Sequence, residues 1–373
     1  MIDNHLRWVE TLNAPSADIR DADYGFLPHR FDGDSKGYRP GREPIDFQDL
    51  ATKSLGLPYD GDYTELAKRI RDVETGWFDY VATVDLVGVD EDGAQAMANA
   101  AQDAYRLDTL TEDNLPAYVS LLLGDAKALA AKQGVKIPAL EEWSRGIWTA
   151  EENAHMLSMN EYGKITGITN SPEHVAGRNS QLRSGTEILL EHVIQLFAYT
   201  AWQELSTNIA HTRDGKLFGP IGGLLLDHIG KDEARHHLVY QSVLQSLYQE
   251  FPDDTIRTLH TVLMQPFMPG KKGIPNFLRK SVRIHGTAIF GIEQAYQASQ
   301  KVLQKLGLLD EAKDVVGLSQ EAVQARAELR DAYKRETPPQ RSRTSKFILD
   351  KTVTAKQLSQ VRKAYAAEIG LAA

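Results

Sequence analysis

The chain contains no cysteine. Disulfides, thiolate nucleophiles, Cys-ligated zinc and iron–sulfur clusters are thereby excluded, and any metal has to be held by His and carboxylate side chains. Long apolar runs are missing too. The most membrane-like stretch, Ile188 to Trp202, is interrupted by Glu191, His192 and Gln195 and is too short to span a bilayer. The amino terminus carries Asp3, His5, Arg7 and Glu10 where a secretory leader needs an apolar stretch, so a cytoplasmic protein without a membrane span is expected. Walker-type phosphate loops and Gly-x-Ser-x-Gly elbows do not occur. Gly219, Gly222 and Gly223 are too sparse to cradle phosphate and read as a loop ahead of the next helix. Positive charge is in deficit, with 42 Lys+Arg against 51 Asp+Glu and a net charge of -9, which speaks against generic nucleic-acid binding.

What is present is ordinary soluble-globular composition, 42% hydrophobic and 25% charged over 373 residues, enough for one large core or two domains. Proline and glycine crowd the stretch from Tyr24 to Asp62, so residues 1–92 read as an irregular wrapping segment. From about Gly93 helical periodicity dominates, punctuated at Gly134/Pro138, Thr169/Pro172, Asp214/Gly215, Pro252 and Pro266 to Pro275. The predicted architecture is all-α, a single large domain with its body over 93–350 and a polar, Ala-rich tail over 351–373 that reads as a surface helix at most. Charge is uneven: residues 271–373 hold 19 basic and 10 acidic residues, a balance of +9 against -18 for the rest. Lys271, Lys272, Arg279, Lys280 and Arg283 form one basic run, and Lys334, Arg335, Arg341, Arg343 and Lys346 a second. Either is a solvated surface or a docking face for an acidic partner.

The informative strings are Glu151-Glu152-Asn153-Ala154-His155 and Asp232-Glu233-Ala234-Arg235-His236. Each contains Glu-x-x-His, a spacing that puts carboxylate and imidazole on one helix face within reach of one ion. Stepping by three and four from the first pair meets Trp148, Met159, Tyr162 and Ile165; from the second, Leu226, Ile229, Tyr240, Val243 and Leu247. Both pairs therefore lie on stripes that face a core, where an unpaired carboxylate must be protonated, ion-paired or metal-bound. Glu204 continues the stripe Leu190, Ile194, Phe197, Ala201, and Glu112 precedes Leu115, Val119, Leu122 and Ala126. For Glu112 a capping-box partnership with Thr109 is an equal alternative, and Pro116 would place a kink at that glutamate if the helix runs through. One Glu from each of two helices plus Glu-x-x-His from each of two others is the ligand set of ferritin-like di-metal bundles. Oxygen ligands, two imidazoles and no sulfur suit iron or manganese.

These strings resemble the soluble acyl-[acyl-carrier-protein] desaturases typified by the plant stearoyl-carrier-protein enzyme. The matching segments are Thr111-Glu112-Asp113-Asn114-Leu115-Pro116-Ala117-Tyr118, Trp148-Thr149-Ala150-Glu151-Glu152-Asn153-Ala154-His155, Trp202-Gln203-Glu204 and Asp232-Glu233-Ala234-Arg235-His236, with a weaker echo at Phe347-Ile348-Leu349-Asp350. The resemblance implies that Glu112, Glu152, His155, Glu204, Glu233 and His236 bind two irons, Glu152 and Glu233 bridging and Glu112 and Glu204 terminal. It implies Asp232 behind a ligand imidazole, His155, and Thr207 as the hydroxyl beside the oxygen-binding side; His211, His228 and His237 are left as ordinary histidines. It further implies an oxidoreductase that inserts a double bond into an acyl chain on acyl carrier protein, with electrons from a ferredoxin-type donor, in a homodimer. The run from Lys271 to Arg283 would dock the acidic carrier. The alternatives are a hydroxylase or N-oxygenase on the same scaffold and a non-catalytic ferritin-like iron-binding protein.

Overall fold

Apolar residues at helical spacing and well-placed caps divide the chain into helices, and the computed structural model describes residues 44–59, 61–84, 91–132, 141, 143–184, 191–264, 273–286, 289–310, 317–334 and 352–371. Among these the α-helices are α1 (Phe47–Leu55), α2 (Tyr63–Thr83), α3 (Glu91–Glu112), α4 (Leu115–Ser120), α5 (Ala126–Lys132), α6 (Thr149–Thr166), α7 (Pro172–Ser184), α8 (Val193–Asp214), α9 (Pro220–Glu250), α10 (Pro252–Met264), α11 (Phe277–Gly286), α12 (Ile292–Leu306), α13 (Gln320–Tyr333) and α14 (Thr352–Glu368). Two π-helical turns, Leu121–Asp125 and Ser144–Trp148, precede α5 and α6. No strand occurs among the described residues, in keeping with the all-α expectation. No helix in them is long and apolar enough to cross a membrane.

Among the described residues the buried apolar side chains form two clusters, and the helices that carry the candidate ligands cross the seam between them. In α9 the first half contributes Ile221, Leu225, Leu226 and Ile229 to one cluster, while the second half contributes Val239, Tyr240, Val243, Leu244 and Leu247 to the other. Glu233 and His236 fall between the two sets. The same division recurs around α6, where Met159 and Tyr162 belong to the first cluster and Trp148 to the second, with Glu152 and His155 between. Likewise Leu110 packs in the first and Leu115 in the second, flanking Glu112. Polar groups that a continuous apolar core would exclude thus meet where two cores abut. The seam rests mainly on α8 and α9, which are joined by residues 215–219 and form the most extensive helix pair.

Two parts of the chain depart from the sequence expectation. The segment expected to be irregular contains α1 and α2. Its proline-rich portion had masked a helical stripe, and Leu66, Ile70, Val73, Trp77 and Val81 are all buried. Helix α2 starts on an Asp62 side chain that accepts from the Thr64 amide. The expected tail is also structural. In α14, Leu358 and Tyr365 are buried, the Tyr365 hydroxyl donates to the Val73 carbonyl at 2.7 Å, and Arg362 donates to the Gly215 carbonyl at 2.6 Å. The echo at Phe347–Asp350 lies outside the described residues.

The glycines at 222 and 223 do not mark a loop; only Gly219 lies outside α9, at its N-cap. Glu74, a buried carboxylate from α2, accepts from the Ile221 amide at 2.9 Å, the Gly222 amide at 3.3 Å and the Tyr162 hydroxyl at 2.5 Å. Burial raises its pKa above the ordinary range against these donors, and the carboxylate occupies the positive end of the longest helix. A Cβ on Gly222 would stand 2.7 Å from Tyr162 Cζ and 3.1 Å from Glu74 Oε2. Gly222→Ala should therefore destabilise the fold by about 2 kcal/mol, although helix propensity alone favours Ala by roughly 1 kcal/mol. Denaturant unfolding checks this, and a stabilised variant would contradict it.

Candidate metal centre

The four glutamates and two histidines singled out in the sequence are buried and converge from α3, α6, α8 and α9. They form two overlapping sets, Glu112, Glu152, His155 and Glu233, and Glu152, Glu204, Glu233 and His236; within each set one ligand atom per residue lies within 4.8 Å of the others. Glu152 and Glu233 belong to both. Their oxygens are divided between the two halves: Glu152 Oε2 is 3.9 Å from His155 Nδ1 while Oε1 is 3.0 Å from His236 Nδ1. Glu233 Oε1 is 3.4 Å from His155 Nδ1 while Oε2 is 3.6 Å from His236 Nδ1. Of the two candidate ligand imidazoles, Glu112 Oε2 stands 3.9 Å from that of His155 and Glu204 Oε2 3.7 Å from that of His236. The capping-box alternative for Glu112 falls away, because Thr109 lies inside α3 and its hydroxyl donates to the Tyr105 carbonyl. The chain breaks after Glu112 instead of kinking, and α4 restarts at Leu115 with Pro116 in its first turn.

The electrostatics describe a pocket short of positive charge. Burial, and then the charges of Glu233 and Glu112, push the Glu152 carboxyl up to about 8. Burial and the neighbouring Glu233 raise Glu204 well above the carboxylate range. Burial would lower His236, yet Glu151, Glu152, Glu204 and Glu233 together hold its pKa well above normal. Protons are thus favoured on Glu152 and Glu204, whereas at Glu233 burial is outweighed by hydrogen bonds from Glu204, His155 and His236, which hold it well below the carboxylate range. The inward nitrogens His155 Nδ1 and His236 Nδ1, with Glu112 Oε2 and Glu233 Oε2, have no well-directed hydrogen bond. Two divalent ions fit this donor set: four carboxylates balance their charge, and each ion would find three carboxylates and one imidazole, a hard oxygen and nitrogen environment suited to iron or manganese.

Behind the donors stands a crossed pair of acids. His155 Nε2 is 3.0 Å from Asp232 Oδ2, and His236 Nε2 is 2.8 Å from Glu151 Oε2. The acid preceding the shared glutamate of one string therefore serves the histidine of the other string. Asp232 takes the place that the resemblance implies. Glu151 was passed over, although both strings share the pattern acid-Glu-x-x-His, which is the signal for it. Arg235 pairs with Asp232 and lies 3.7 Å from Glu151, so one guanidinium serves both acids. Such partners fix ring orientation and raise ligand basicity.

Other sequence-predicted residues fare differently. Thr207 lies one turn beyond Glu204, where its hydroxyl donates to the Gln203 carbonyl at 2.8 Å and accepts from the Gln203 amide at 3.1 Å. The cavity beside the donors, of about 30 Å³, is lined by Thr200 and Gln203. The four glutamates line the same cavity as Tyr118, Leu121, Leu122, Trp148, Tyr199 and Tyr240. Of the expected docking residues, Lys271 and Lys272 lie outside the described residues, as do Arg335, Arg341, Arg343 and Lys346 of the second run. Lys280 is only 6% exposed and is paired with Glu173 at 3.2 Å, because it shares the inner face of α11 with Ile284. Arg283 is paired with Asp103 at 2.8 Å. Arg279 is exposed and lies beside Leu278 and Val282, which are 75% and 65% exposed. His237 is a core histidine bonded to the Ala201 carbonyl at 2.7 Å, and His228 reaches Asp232 at 3.9 Å.

The family profile described as fatty acid desaturase matches residues 87–357. DesA1 of Mycobacterium tuberculosis H37Rv, named an acyl-[acyl-carrier-protein] desaturase, is 30% identical over 222 residues, covering 56% of this chain and 62% of its own. The chloroplastic stearoyl-[acyl-carrier-protein] 9-desaturase of Olea europaea is 27% identical over 216 residues, covering 57% of this chain and 49% of its own. The matched stretches thus span less than two thirds of either relative. The X-ray structure of DesA2 from Mycobacterium tuberculosis H37Rv, named an acyl-ACP desaturase, aligns with a TM-score of 0.43 at 19% identity, covering 71% of this chain and 93% of that one. Because the profile match takes in well over half of the chain and all six donors, the chain belongs to the fatty acid desaturase family.

Proposed function

We propose that this chain is an oxygen-dependent desaturase that introduces a double bond into an acyl chain presented on acyl carrier protein, with two irons as cofactor and a ferredoxin-type donor as electron source. The observation that carries the reading is the pair of overlapping donor sets sharing Glu152 and Glu233. Removing hydrogen from adjacent unactivated carbons is beyond any side-chain base, and two bound irons with dioxygen would supply that oxidation. The overall balance is one saturated chain, one dioxygen, two electrons and two protons giving the alkene and two waters.

In this reading the residues have distinct tasks. Glu152 and Glu233 would be shared by the two ions, His155 and His236 would each serve one of them, and Asp232, Glu151 and Arg235 keep the imidazoles oriented. The aromatic and leucine wall formed by Tyr118, Leu121, Leu122, Trp148, Tyr199 and Tyr240 holds the alkyl segment beside the donors and excludes water. The cavity of about 30 Å³ has room for about one water, so the wall has to move outward to admit a chain. Leu121, Leu122 and Trp148 belong to the two π-helical turns, a geometry common at functional sites. Exposed Arg279 and Arg283, beside Leu278 and Val282, would form the described part of a carrier-docking surface. A homodimer is part of the same proposal.

The test is mass analysis of acyl-carrier-protein thioesters after incubation with the iron-loaded, reduced protein in air. Loss of two hydrogens is expected. A gain of one oxygen atom would indicate a hydroxylase, and an unaltered thioester despite a full iron complement would refute catalysis on this substrate class.

A further inference from the structure

The candidate centre is nearly two-fold symmetric in its chemistry. Glu152 with His155 answers Glu233 with His236, Glu112 answers Glu204, and Asp232 answers Glu151. The correspondence fails at one point. His211, fully buried on α8, inserts beside Glu112, with Nε2 3.6 Å from Glu112 Oε1 and Nδ1 3.6 Å from Asp108 Oδ2. Among the described residues no second histidine stands in the same relation to Glu204.

The placement follows from two helix registers. Asp108 and Glu112 are four residues apart on α3, so two carboxylates face the same way in the interior, a repulsive arrangement on its own. His211 lies seven residues after Glu204, two turns along the same face of α8, and brings an imidazole between the two acids. Both of its nitrogens lack a directed hydrogen bond elsewhere, so its surroundings are defined by these carboxylates. Asp108 is 21% exposed, leaving His211 as the inner partner of Glu112.

We propose that His211 is a positioning residue for Glu112, and that with Asp108 behind it the imidazole makes the two metal positions unequal. Its contact engages the outer oxygen of Glu112 and leaves Oε2 directed toward His155, so the position served by Glu112 and His155 is pre-shaped in a way that the position served by Glu204 and His236 is not. The inference rests on the di-metal reading above and adds a difference between the sites to it. Loss of such a partner weakens metal binding by roughly 10–100-fold, and here the loss should fall on one position only.

Anaerobic calorimetric titration with ferrous iron tests this on the wild type, His211→Leu, His211→Gln and Asp108→Asn, each apoprotein first melted to establish folding. Two binding steps are expected for the wild type. His211→Leu should weaken one step by about 10–100-fold and leave the other within about threefold; His211→Gln, which keeps a donor near the same place, should restore most of the loss. Asp108→Asn should affect the same step more weakly. If the leucine variant does not fold, His211→Asn, too short to reach both acids, takes its place under the same expectation. Unchanged steps, or equal weakening of both, would overturn the proposal, whereas a wild type binding fewer than two irons would overturn the di-metal reading instead.

Discussion

Glu152→Gln is expected to make the metal-free protein more stable and the metal-bound state unattainable. The first half of that result follows from burial. In the folded protein the Glu152 carboxyl titrates at about 8, raised by burial and by Glu233 and Glu112, whereas an unfolded glutamate titrates near its ordinary value of roughly 4.3. A folded pKa above the unfolded one means that the stabilising contribution is complete at low pH and is lost as pH rises through about 8. The wild-type apoprotein therefore weakens across that window relative to a variant whose amide cannot ionise. The advantage of Glu152→Gln should grow from negligible near pH 4 to a few kcal/mol, as an order of magnitude, at pH 8. The second half follows from shared ligation. Glu152 belongs to both donor sets, and an amide cannot place a charged oxygen on each of two ions. Affinity should fall by more than about 100-fold, beyond the usual cost of losing an outer partner, and desaturation should vanish with it. Thermal melts of the apoprotein from pH 4 to 8, paired with iron binding, check both halves. An apoprotein destabilised at pH 8, or one still holding two irons, would contradict the argument.

Glu151→Ala and Asp232→Ala should produce matched defects on opposite metal positions. Each substitution removes the acceptor behind one imidazole, Glu151 for His236 and Asp232 for His155, and each leaves Arg235 with one acid instead of two. A buried ring N–H without an acceptor is costly, and the imidazole loses both its orientation and part of its basicity. Metal affinity should drop toward the upper end of the 10–100-fold range in each variant, while the helices persist. Glu151→Gln and Asp232→Asn, which keep an acceptor oxygen but lose the charge, should lie between the alanine variants and the wild type. Iron titration ranks the four proteins. An effect confined to Asp232 would show that the crossed arrangement is incidental.

The convergence of the six candidate donors was legible in the sequence because each sits on an apolar stripe where a polar side chain needs a reason to be, and because Glu-x-x-His occurs twice. The helix boundaries at Asp214, Pro172 and Pro252 were legible for a related reason, since proline and glycine punctuate the periodicity. Glu151 was within a quoted string and still escaped notice. Its role depends on two helices crossing so that residues 85 apart meet, and no periodicity within one helix reports that. His211 escaped because a lone histidine on an apolar face is usually a satisfied core residue; the clue is its two-turn spacing from Glu204. Lys280 was misread because a linear run of charge ignores facing, although Ile284, one turn further on, marks the same face as inward. Helix α2 was hidden by the proline and glycine content preceding it, while its own stripe from Leu66 to Val81 is regular.

Six side chains from four helices would hold two ions through a shared pair of glutamates. Metal analysis after anaerobic loading with ferrous iron and desalting tests it most directly, on the wild type and on Glu152→Gln and Glu233→Gln. Two irons per chain in the wild type and fewer than two in each variant is the result expected here; a wild type retaining one iron or none, or variants that both retain two, would contradict it.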